Sequence, residues 1–399
     1  MNIHKERKLI ISLVVFFIIQ NNSLAFRNSL PRFAILQSAN SRHVMTLAAI
    51  DGPLSGKVCV VTGASRGIGK GIAIELGSAG ATVYITGTSS SKSDTIESQS
   101  PYSTNNDVGG PGTIEETAKL VTEAGGKGIA VMCNHANDDE VKSLFTKIDN
   151  EHGRLDVLVN NAFRVPSGGS DALLGSFWEQ GPEGWDAMHT IGLRSHYVAS
   201  ALAVPLMMKS PILVDNPKPL IVMISSFGGT VYTFNVAYGV GKAGVDRLAK
   251  DMHQELKSHN IATCSLYPGV VMTERMGRVV DSGEWEEKFG VPFNNAETPA
   301  FTGRAVVALA SDPNNMEKSG TVQVVAELSR EYQFYDNSVD DSFNQSKRQP
   351  PSIRSLKFLI PNYALDKTVR EKVPDWIIPD WKIPMFVMAG GRPDPESKV

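Results

Sequence analysis

The sequence predicts an α/β fold in which helices cover both faces of a doubly wound, parallel sheet of seven strands. Seven short apolar runs alternate with longer helix-like segments between about residues 54 and 327. The runs are rich in Val and Ile and show little polar alternation, which is typical of strands buried on both faces. They lie at residues 58–61, 82–86, 129–133, 155–159, 220–224, 262–266 and 321–325.

The composition fits one large α/β domain with appendages. The chain has 399 residues, of which 42% are hydrophobic, enough to bury a sizeable core. Its 39 Lys and Arg residues against 42 Asp and Glu give a formal net charge of -3, so we expect no nucleic-acid partner. Cys59, Cys133 and Cys264 are too few for a disulfide framework and too far apart for a zinc site. All three fall in predicted strands, where we expect them to be small buried side chains.

The first 25 residues have the pattern of a secretory signal. Lys5, Arg7 and Lys8 precede an apolar run at residues 9–19, and Ser23-Leu24-Ala25 supplies small residues at the exit. The run is shorter than the roughly 20 apolar residues that span a bilayer, although an uncleaved membrane anchor remains the alternative.

Residues 26–50 have the composition of a transit peptide. They contain no Asp or Glu, while Arg27, Arg32 and Arg42 are interspersed with Ser and Asn. A signal followed by such a stretch, with Phe26 directly after the cleavage point, resembles the two-part leaders of proteins sent to complex plastids. We therefore favour a plastid location, with a disordered linker after an endoplasmic-reticulum signal as the alternative.

A helix start is indicated after the polar stretch at residues 89–112, which has the composition of a loop. Thr113 and Glu116 have the spacing of a capping box, in which each side chain accepts from the backbone N–H of the other residue at the first turn of a helix. The pattern predicts a helix running towards Ala124.

A glycine-rich turn follows the first predicted strand directly. Gly63, Gly67 and Gly69 permit a tight turn in which backbone N–H groups approach a pyrophosphate at a helix N-terminus. Ser65, Arg66 and Ile68 lie between them. A strand before the turn, a helix after it and a second strand at the right distance favour a Rossmann-type dinucleotide site over an ordinary corner.

The end of the second strand favours NADP(H) over NAD(H). A cofactor with a free ribose 2′-OH usually meets Asp or Glu there, but this chain has Thr86-Gly87-Thr88. Arg66 adds a positive charge that a 2′-phosphate could reach. The alternative for Arg66 is a solvated surface cation.

Tyr238 and Lys242 form a candidate proton-transfer pair. They stand four residues apart and share one face of a helix. A free tyrosine has a pKa of about 10, and a nearby cation together with a positively charged nicotinamide favours the phenolate and lowers that pKa. Ser226, twelve residues upstream, could hold the substrate oxygen and the tyrosine in register.

With these motifs in this order, the chain resembles the classical short-chain dehydrogenases/reductases. The matching residues are the turn at 62–69, Asn160-Asn161-Ala162, Ser226, the segment 238–242 and the segment 268–273, within residues 54–327. The resemblance implies that Tyr238 is the general acid when a ketone or aldehyde is reduced and that Lys242 binds the nicotinamide ribose. It also implies that Ser226 hydrogen-bonds the carbonyl, with Ser225 as the fallback.

The resemblance implies the remaining cofactor contacts as well. Asn161 and Ala162 would line the adenosine side, Thr88 would touch the ribose phosphate, and Asn134 would accept from the adenine amino group. The nicotinamide would be cradled by a loop that comprises Pro268, Gly269, Val271 and Thr273.

Four positions depart from the family pattern. Many members carry Arg where Thr88 stands and Asp where Asn134 stands; a Thr can still donate and an Asn oxygen can still accept. The usual active-site Asn, which supports a proton-relay water largely through its carbonyl, aligns with Gly192, so we expect an altered relay. Phe163 replaces a Gly and is expected to narrow the site.

Two variable segments, 163–185 and 274–298, should line the substrate. They are rich in large apolar side chains, which suits a small hydrophobic carbonyl substrate but also ordinary packing. These are Phe177, Trp178, Trp185, Met276, Trp285 and Phe289.

Residues 328–399 form a tail beyond the dinucleotide fold. Pro374, Pro379 and Pro384 recur at five-residue steps among Trp and Ile, which forbids a regular spanning helix. Docking on the enzyme or a partner subunit is the favoured interpretation, and peripheral membrane contact is the alternative.

We expect a homodimer or homotetramer acting as an NADP(H)-dependent carbonyl reductase. A catalytically silent dinucleotide-binding scaffold and a lyase or epimerase of the same family are the alternatives.

Overall fold

The computed structural model describes residues 52–91, 112–165, 173, 175–211, 216–281, 283, 296–338, 346–359 and 381–383. Both leader segments, at 1–25 and 26–50, lie outside these residues, as do Trp285, Phe289 and most of the Pro- and Trp-rich tail segment.

The predicted seven-stranded parallel sheet is confirmed. Its order is β3-β2-β1-β4-β5-β6-β7, and every pair of neighbours is parallel. The observed ends lie within about two residues of the predicted ones. The strands are β1 Val58–Val61, β2 Thr82–Gly87, β3 Lys127–Met132, β4 Val157–Asn160, β5 Leu220–Ile224, β6 Ala262–Tyr267 and β7 Thr321–Val324.

Helices connect the strands and cover both faces of the sheet. In chain order they are α1 Gly67–Ser78, α2 Ile114–Glu123, α3 Asp138–His152, α4 Gly181–His189, α5 Ser195–Met207, α6 Val236–Leu256, α7 Glu274–Asp281, α8 Pro299–Ser311, α9 Val325–Glu331 and α10 Leu356–Leu359. A π-helix, Thr190–Arg194, joins α4 to α5, and short 3-10 helices occur at Phe227–Gly229, Lys257–His259 and Asn315–Lys318. The helix predicted after Thr113 is α2, and the Thr113 side chain accepts from the Glu116 N–H as a capping box requires.

Alternate residues of each central strand enter opposite cores. Cys59 and Val61 of β1 belong to one buried cluster, whereas Val58 and Val60 belong to the other. A strand whose two faces are both covered by helices needs apolar residues at every position, which explains the unbroken apolar runs in the sequence.

The sheet has its topological switch point between β1 and β4. The chain runs outward from β1 to β2 and β3, then returns so that β4 pairs with the other side of β1. In open parallel sheets, ligands bind in the crevice outside the carboxyl ends of the strands at such a point. The glycine-rich turn after β1 and Asn161 after β4 both lie there.

The described part of the tail packs on the same domain. Helix α9, Val325–Glu331, spans the boundary predicted between residues 327 and 328. Ile353 and Phe358 share a buried cluster with Tyr267 and Val324, and the Arg354 Nε donates to Glu327 at 2.8 Å. The short strands β8 Asp336–Ser338 and β9 Ser346–Arg348 pair in a separate antiparallel sheet.

Two further findings concern membrane-spanning helices and the cysteines. Among the described residues, no helix combines the length and the apolar character needed to cross a membrane. Cys59, Cys133 and Cys264 are all free and buried. Burial raises the pKa of the Cys133 and Cys264 thiols to about 12.

Candidate active site

Tyr238, Ser226 and Lys242 are brought together at the carboxyl end of β5. The Tyr238 Oη donates to the Ser226 Oγ at 2.7 Å, and the Lys242 Nζ donates to the Ile224 carbonyl at 3.0 Å. The Ser225 Oγ instead donates to the Lys242 carbonyl at 3.2 Å. Ser226 and not Ser225 therefore faces the phenol.

The start of α6 fixes the tyrosine. The Asn235 side chain caps this helix by accepting from the Tyr238 N–H at 2.8 Å, which satisfies one of the free donors of the first turn. Phe234, with a left-handed φ of 63°, places its ring edge-on to Tyr238 at a centroid distance of 4.9 Å. Backbone cap and ring contact together hold the phenol beside Ser226.

Two effects of the protein itself act on the pKa of Tyr238. Burial raises the pKa of Tyr238 to about 12, against a smaller lowering effect of the Ser226 hydrogen bond. Lys242 contributes little because its ammonium is directed to the Ile224 carbonyl and lies 5.9 Å from the tyrosine ring centroid. The phenol is therefore fully protonated near neutral pH, in the form a proton donor needs.

Asp246 adds a third ionisable group to the pair and is half-buried. It lies four residues beyond Lys242 on α6, and its Oδ1 accepts from the Ser265 Oγ at 2.5 Å while Tyr267 donates to Oδ2. Burial lowers the pKa of Lys242 to about 8, and the Asp246 carboxylate opposes that effect. Sequence reasoning missed Asp246, although the repeated four-residue spacing was a signal for it.

The glycine-rich turn is closed by direct backbone contact. Gly63 and Gly67 have left-handed φ values of 63° and 56°, and a Cβ on Gly63 would lie 2.8 Å from the Ala162 Cα. The Asn161 Nδ2 donates to the Thr62 and Gly63 carbonyls at 2.8 and 3.0 Å. In this structure Asn161 therefore supports the turn that would receive a nucleotide.

The residues of the turn fit an anionic dinucleotide. Ser65 is a buried residue of the turn, and Ile68 packs on the core. At the N-terminus of α1 the Gly67 N–H donates to a carboxylate oxygen of Glu274 at 2.8 Å, so the positive end of the helix already accommodates an anion there. The buried Arg66 Nε has no partner among the described residues. An unpaired guanidinium nitrogen at this point is a donor for a phosphate.

The surroundings of Arg66 refine the predicted phosphate contacts. The Arg66 Nη2 donates to the Ser89 Oγ at 2.5 Å, so Ser89, which sequence reasoning missed, lies beside it. Thr88 is exposed at the end of β2. The Asn134 Oδ1, predicted to accept from adenine, accepts here from the Ala136 N–H at 3.0 Å.

The predicted nicotinamide loop, residues 268–273, is held by a residue that sequence reasoning also missed. The Glu297 Oε2 accepts from the Gly269 N–H at 2.9 Å, and the Glu297 carbonyl accepts from the Met272 N–H at 2.8 Å. Pro268 and Val271 are buried, whereas Thr273 is half-buried. Thr273 also lies close to the glycine-rich turn, because a Cβ built on Gly67 would lie 3.3 Å from the Thr273 Cγ2. Glu297 thus clamps the loop through both side chain and backbone.

Glu297 should make the stability of the fold pH-dependent. Burial raises the pKa of its carboxyl to about 8, so between the ordinary value of 4.5 and 8 the folded chain holds a proton that the unfolded chain has lost. The contribution of Glu297 to the free energy of unfolding is therefore fully present at low pH and is lost as the pH rises to about 8. We expect Glu297→Gln, which cannot ionise, to gain stability relative to the parent between pH 5 and pH 8 in denaturant unfolding. A difference in the free energy of unfolding between variant and parent that stays constant across this range would contradict the raised pKa of Glu297.

Comparison with known proteins decides the family. A family model described as short chain dehydrogenase matches residues 57–107, and one described as Enoyl-(Acyl carrier protein) reductase matches residues 105–325. The chain belongs to the short-chain dehydrogenase/reductase family. It is an oxidoreductase of that family with its nucleotide-binding Rossmann fold.

Three relatives show how far the similarity extends. The mouse dehydrogenase/reductase SDR family member 1 is 39% identical over 341 residues, covering 82% of this chain and 97% of the relative. The human protein of the same name is 40% identical over 290 residues, covering 71% and 84%. A solved metagenomic short-chain oxidoreductase in complex with NADP is 26% identical with a TM-score of 0.50, covering 68% of this chain and 97% of that one.

Two aromatic rings contact Tyr238 in the short-chain dehydrogenase/reductase site. Phe163 lies edge-on to Tyr238 at a centroid distance of 5.9 Å, in addition to the contact made by Phe234. Phe177, Trp178 and Trp185 of the first variable segment are all exposed. Within the described residues, the phenol is thus bordered by two rings, with further exposed aromatic side chains in the same segment.

Proposed function

We propose that this protein is an NADP(H)-dependent oxidoreductase that reduces a ketone or aldehyde to an alcohol, with Tyr238 as the general acid. The observation that carries the proposal is the 2.7 Å hydrogen bond from the Tyr238 Oη to the Ser226 Oγ, with Lys242 one helical turn away. A carbonyl oxygen placed between the two hydroxyl groups would be polarised by Ser226 and would receive its proton from Tyr238.

The bound nicotinamide nucleotide would supply the hydride, and the residues of this chain would supply position and charge. Lys242 would bind the ribose and stabilise negative charge that develops on the phenol oxygen. The turn at 62–69 and the N-terminus of α1 would hold the pyrophosphate. The Phe163 and Phe234 rings against Tyr238 favour a small hydrophobic carbonyl compound as the substrate.

A panel of ketones and aldehydes tests the proposal against both alternatives. Carbonyl reduction requires one NADPH consumed for each alcohol formed. A silent scaffold binds NADPH but consumes none with any compound, and a lyase or epimerase forms product without net NADPH consumption. Either of the last two results would overturn the proposed reaction.

The preference for NADP(H) rests on Arg66. Replacement by alanine removes a charged donor worth about 1.5–3 kcal/mol, so the KM for NADPH should rise by roughly ten- to hundredfold while the KM for NADH changes little. Lys70→Ala is the matched control, because it removes a positive charge on α1 that is already paired with Glu116 at 2.7 Å. Equal effects of Arg66→Ala on both nucleotides would remove the 2′-phosphate assignment.

A further inference from the structure

Two departures from the family pattern meet in space. Gly192 lies in the π-helix Thr190–Arg194, and a Cβ built on it would stand 2.6 Å from the Phe163 Cδ2 and 3.0 Å from its Cε2. Non-bonded carbon atoms cannot approach so closely, so either the Phe163 ring or the backbone at position 192 would have to move. The ring of Phe163 therefore occupies the volume that any side chain at position 192 would take.

The same ring contacts both members of the proton-transfer pair. The Lys242 Nζ lies 4.8 Å from the Phe163 ring centroid, within the range of a cation–π interaction. The Tyr238 ring meets it edge-on at 5.9 Å and 88°. The Ile224 carbonyl, at 3.0 Å from Nζ, holds the ammonium from another side.

We propose that Phe163 is a positioning residue whose ring, admitted by the missing side chain at Gly192, fixes the Lys242 ammonium and the Tyr238 phenol in register. The ring stands where the family resemblance implies an asparagine side chain. The catalytic consequence of this proposal rests on the proposed function, whereas its structural consequence does not. Phe163 acts through Lys242 and Tyr238 and touches no reacting atom itself.

The charge on Lys242 depends on few neighbours. Tyr238 and Asp246 face it on α6, while His196 on α5 and His189 on α4 direct their Nε2 atoms to backbone oxygens at 3.0 and 2.8 Å. Burial lowers the pKa of Lys242 to about 8, so its charged form is poorly hydrated. An aromatic face over a poorly hydrated ammonium stabilises the charged form.

A double-mutant cycle tests the steric half of the proposal. Gly192→Ala should displace the ring in the parent and lower both the melting temperature and kcat, the latter by about tenfold or more. In the Phe163→Ala background the same substitution has room, so its effect on both quantities should vanish. Equal losses from Gly192→Ala in both backgrounds would overturn the proposal. The melting temperatures test it even if the parent reduces no carbonyl compound.

A pair of conservative variants tests the electrostatic half. Phe163→Leu keeps an apolar side chain but removes the aromatic face, so the pKa of Lys242 should fall by roughly half a unit. Phe163→Tyr keeps the ring and should keep the pKa. The titration is followed by NMR of ¹³C-labelled lysine, with the Lys242 resonance assigned from Lys242→Met, and by the basic limb of the kcat profile. An unchanged pKa of Lys242 in Phe163→Leu would overturn the proposed positioning role of Phe163. A lowered pKa of Lys242 in a protein without reductase activity would overturn the proposed function alone.

Discussion

Replacing Tyr238 with phenylalanine should lower the rate of carbonyl reduction by roughly a hundredfold to ten-thousandfold, the usual contribution of a general acid. The substitution removes one oxygen, which donates to Ser226, and keeps the ring between Phe163 and Phe234. Nucleotide affinity should therefore change little. The measurement is single-turnover oxidation of NADPH, together with the NADPH dissociation constant from fluorescence titration.

Tyr232→Phe supplies the matched control for this result. Tyr232 lies six residues before Tyr238 in the chain, but its side chain is 68% exposed. Loss of its hydroxyl should therefore leave the rate of carbonyl reduction unchanged. A Tyr238→Phe variant that oxidises NADPH as fast as the parent would defeat the assignment of Tyr238 as the acid. A slow variant with unchanged nucleotide affinity would place the loss in the chemical step.

The substitution Gly69→Ala should abolish most nucleotide binding although alanine is the better helix former. A Cβ on Gly69 would lie 2.4 Å from the Asn161 Nδ2 and 2.5 Å from the Gly63 carbonyl. Overpacking of this kind destabilises by about 1–3 kcal/mol, enough to open the turn and raise the NADPH dissociation constant by roughly ten- to hundredfold.

Gly277→Ala is the control for Gly69→Ala. Gly277 also lies within a helix, α7, but a Cβ there would meet no atom of the described residues within 4 Å. The control should be neutral or gain up to about 1 kcal/mol from helix propensity. Calorimetric titration with NADPH compares the two, and similar affinities in both variants would show that the turn tolerates a side chain at position 69.

The parts of the molecule that sequence reasoning found are those specified by local pattern. The central strands of the sheet were visible because burial on both faces demands an unbroken apolar run. The capping box at Thr113 and the turn at 62–69 depend on residues only a few positions apart. Such features follow from the chain's own periodicity and turn chemistry.

The parts that it missed depend on distances through space. Glu297 reaches Gly269 across 28 positions, and Phe163 fills the space at Gly192 across 29 positions, so neither contact has a local signature. The pKa of Tyr238 likewise depends on distances through space. Its direction is decided by the balance between burial and the position of the Lys242 ammonium, which requires the fold.

The three buried thiols have a consequence for the route that the leader predicts. A chain that enters the secretory pathway meets an oxidising lumen, where accessible thiolates form mixed disulfides. Burial keeps Cys59, Cys133 and Cys264 protonated and out of reach of oxidants once the sheet has formed. The native protein is therefore expected to resist alkylating reagents. A single cysteine introduced on its surface should be the only site that such a reagent labels.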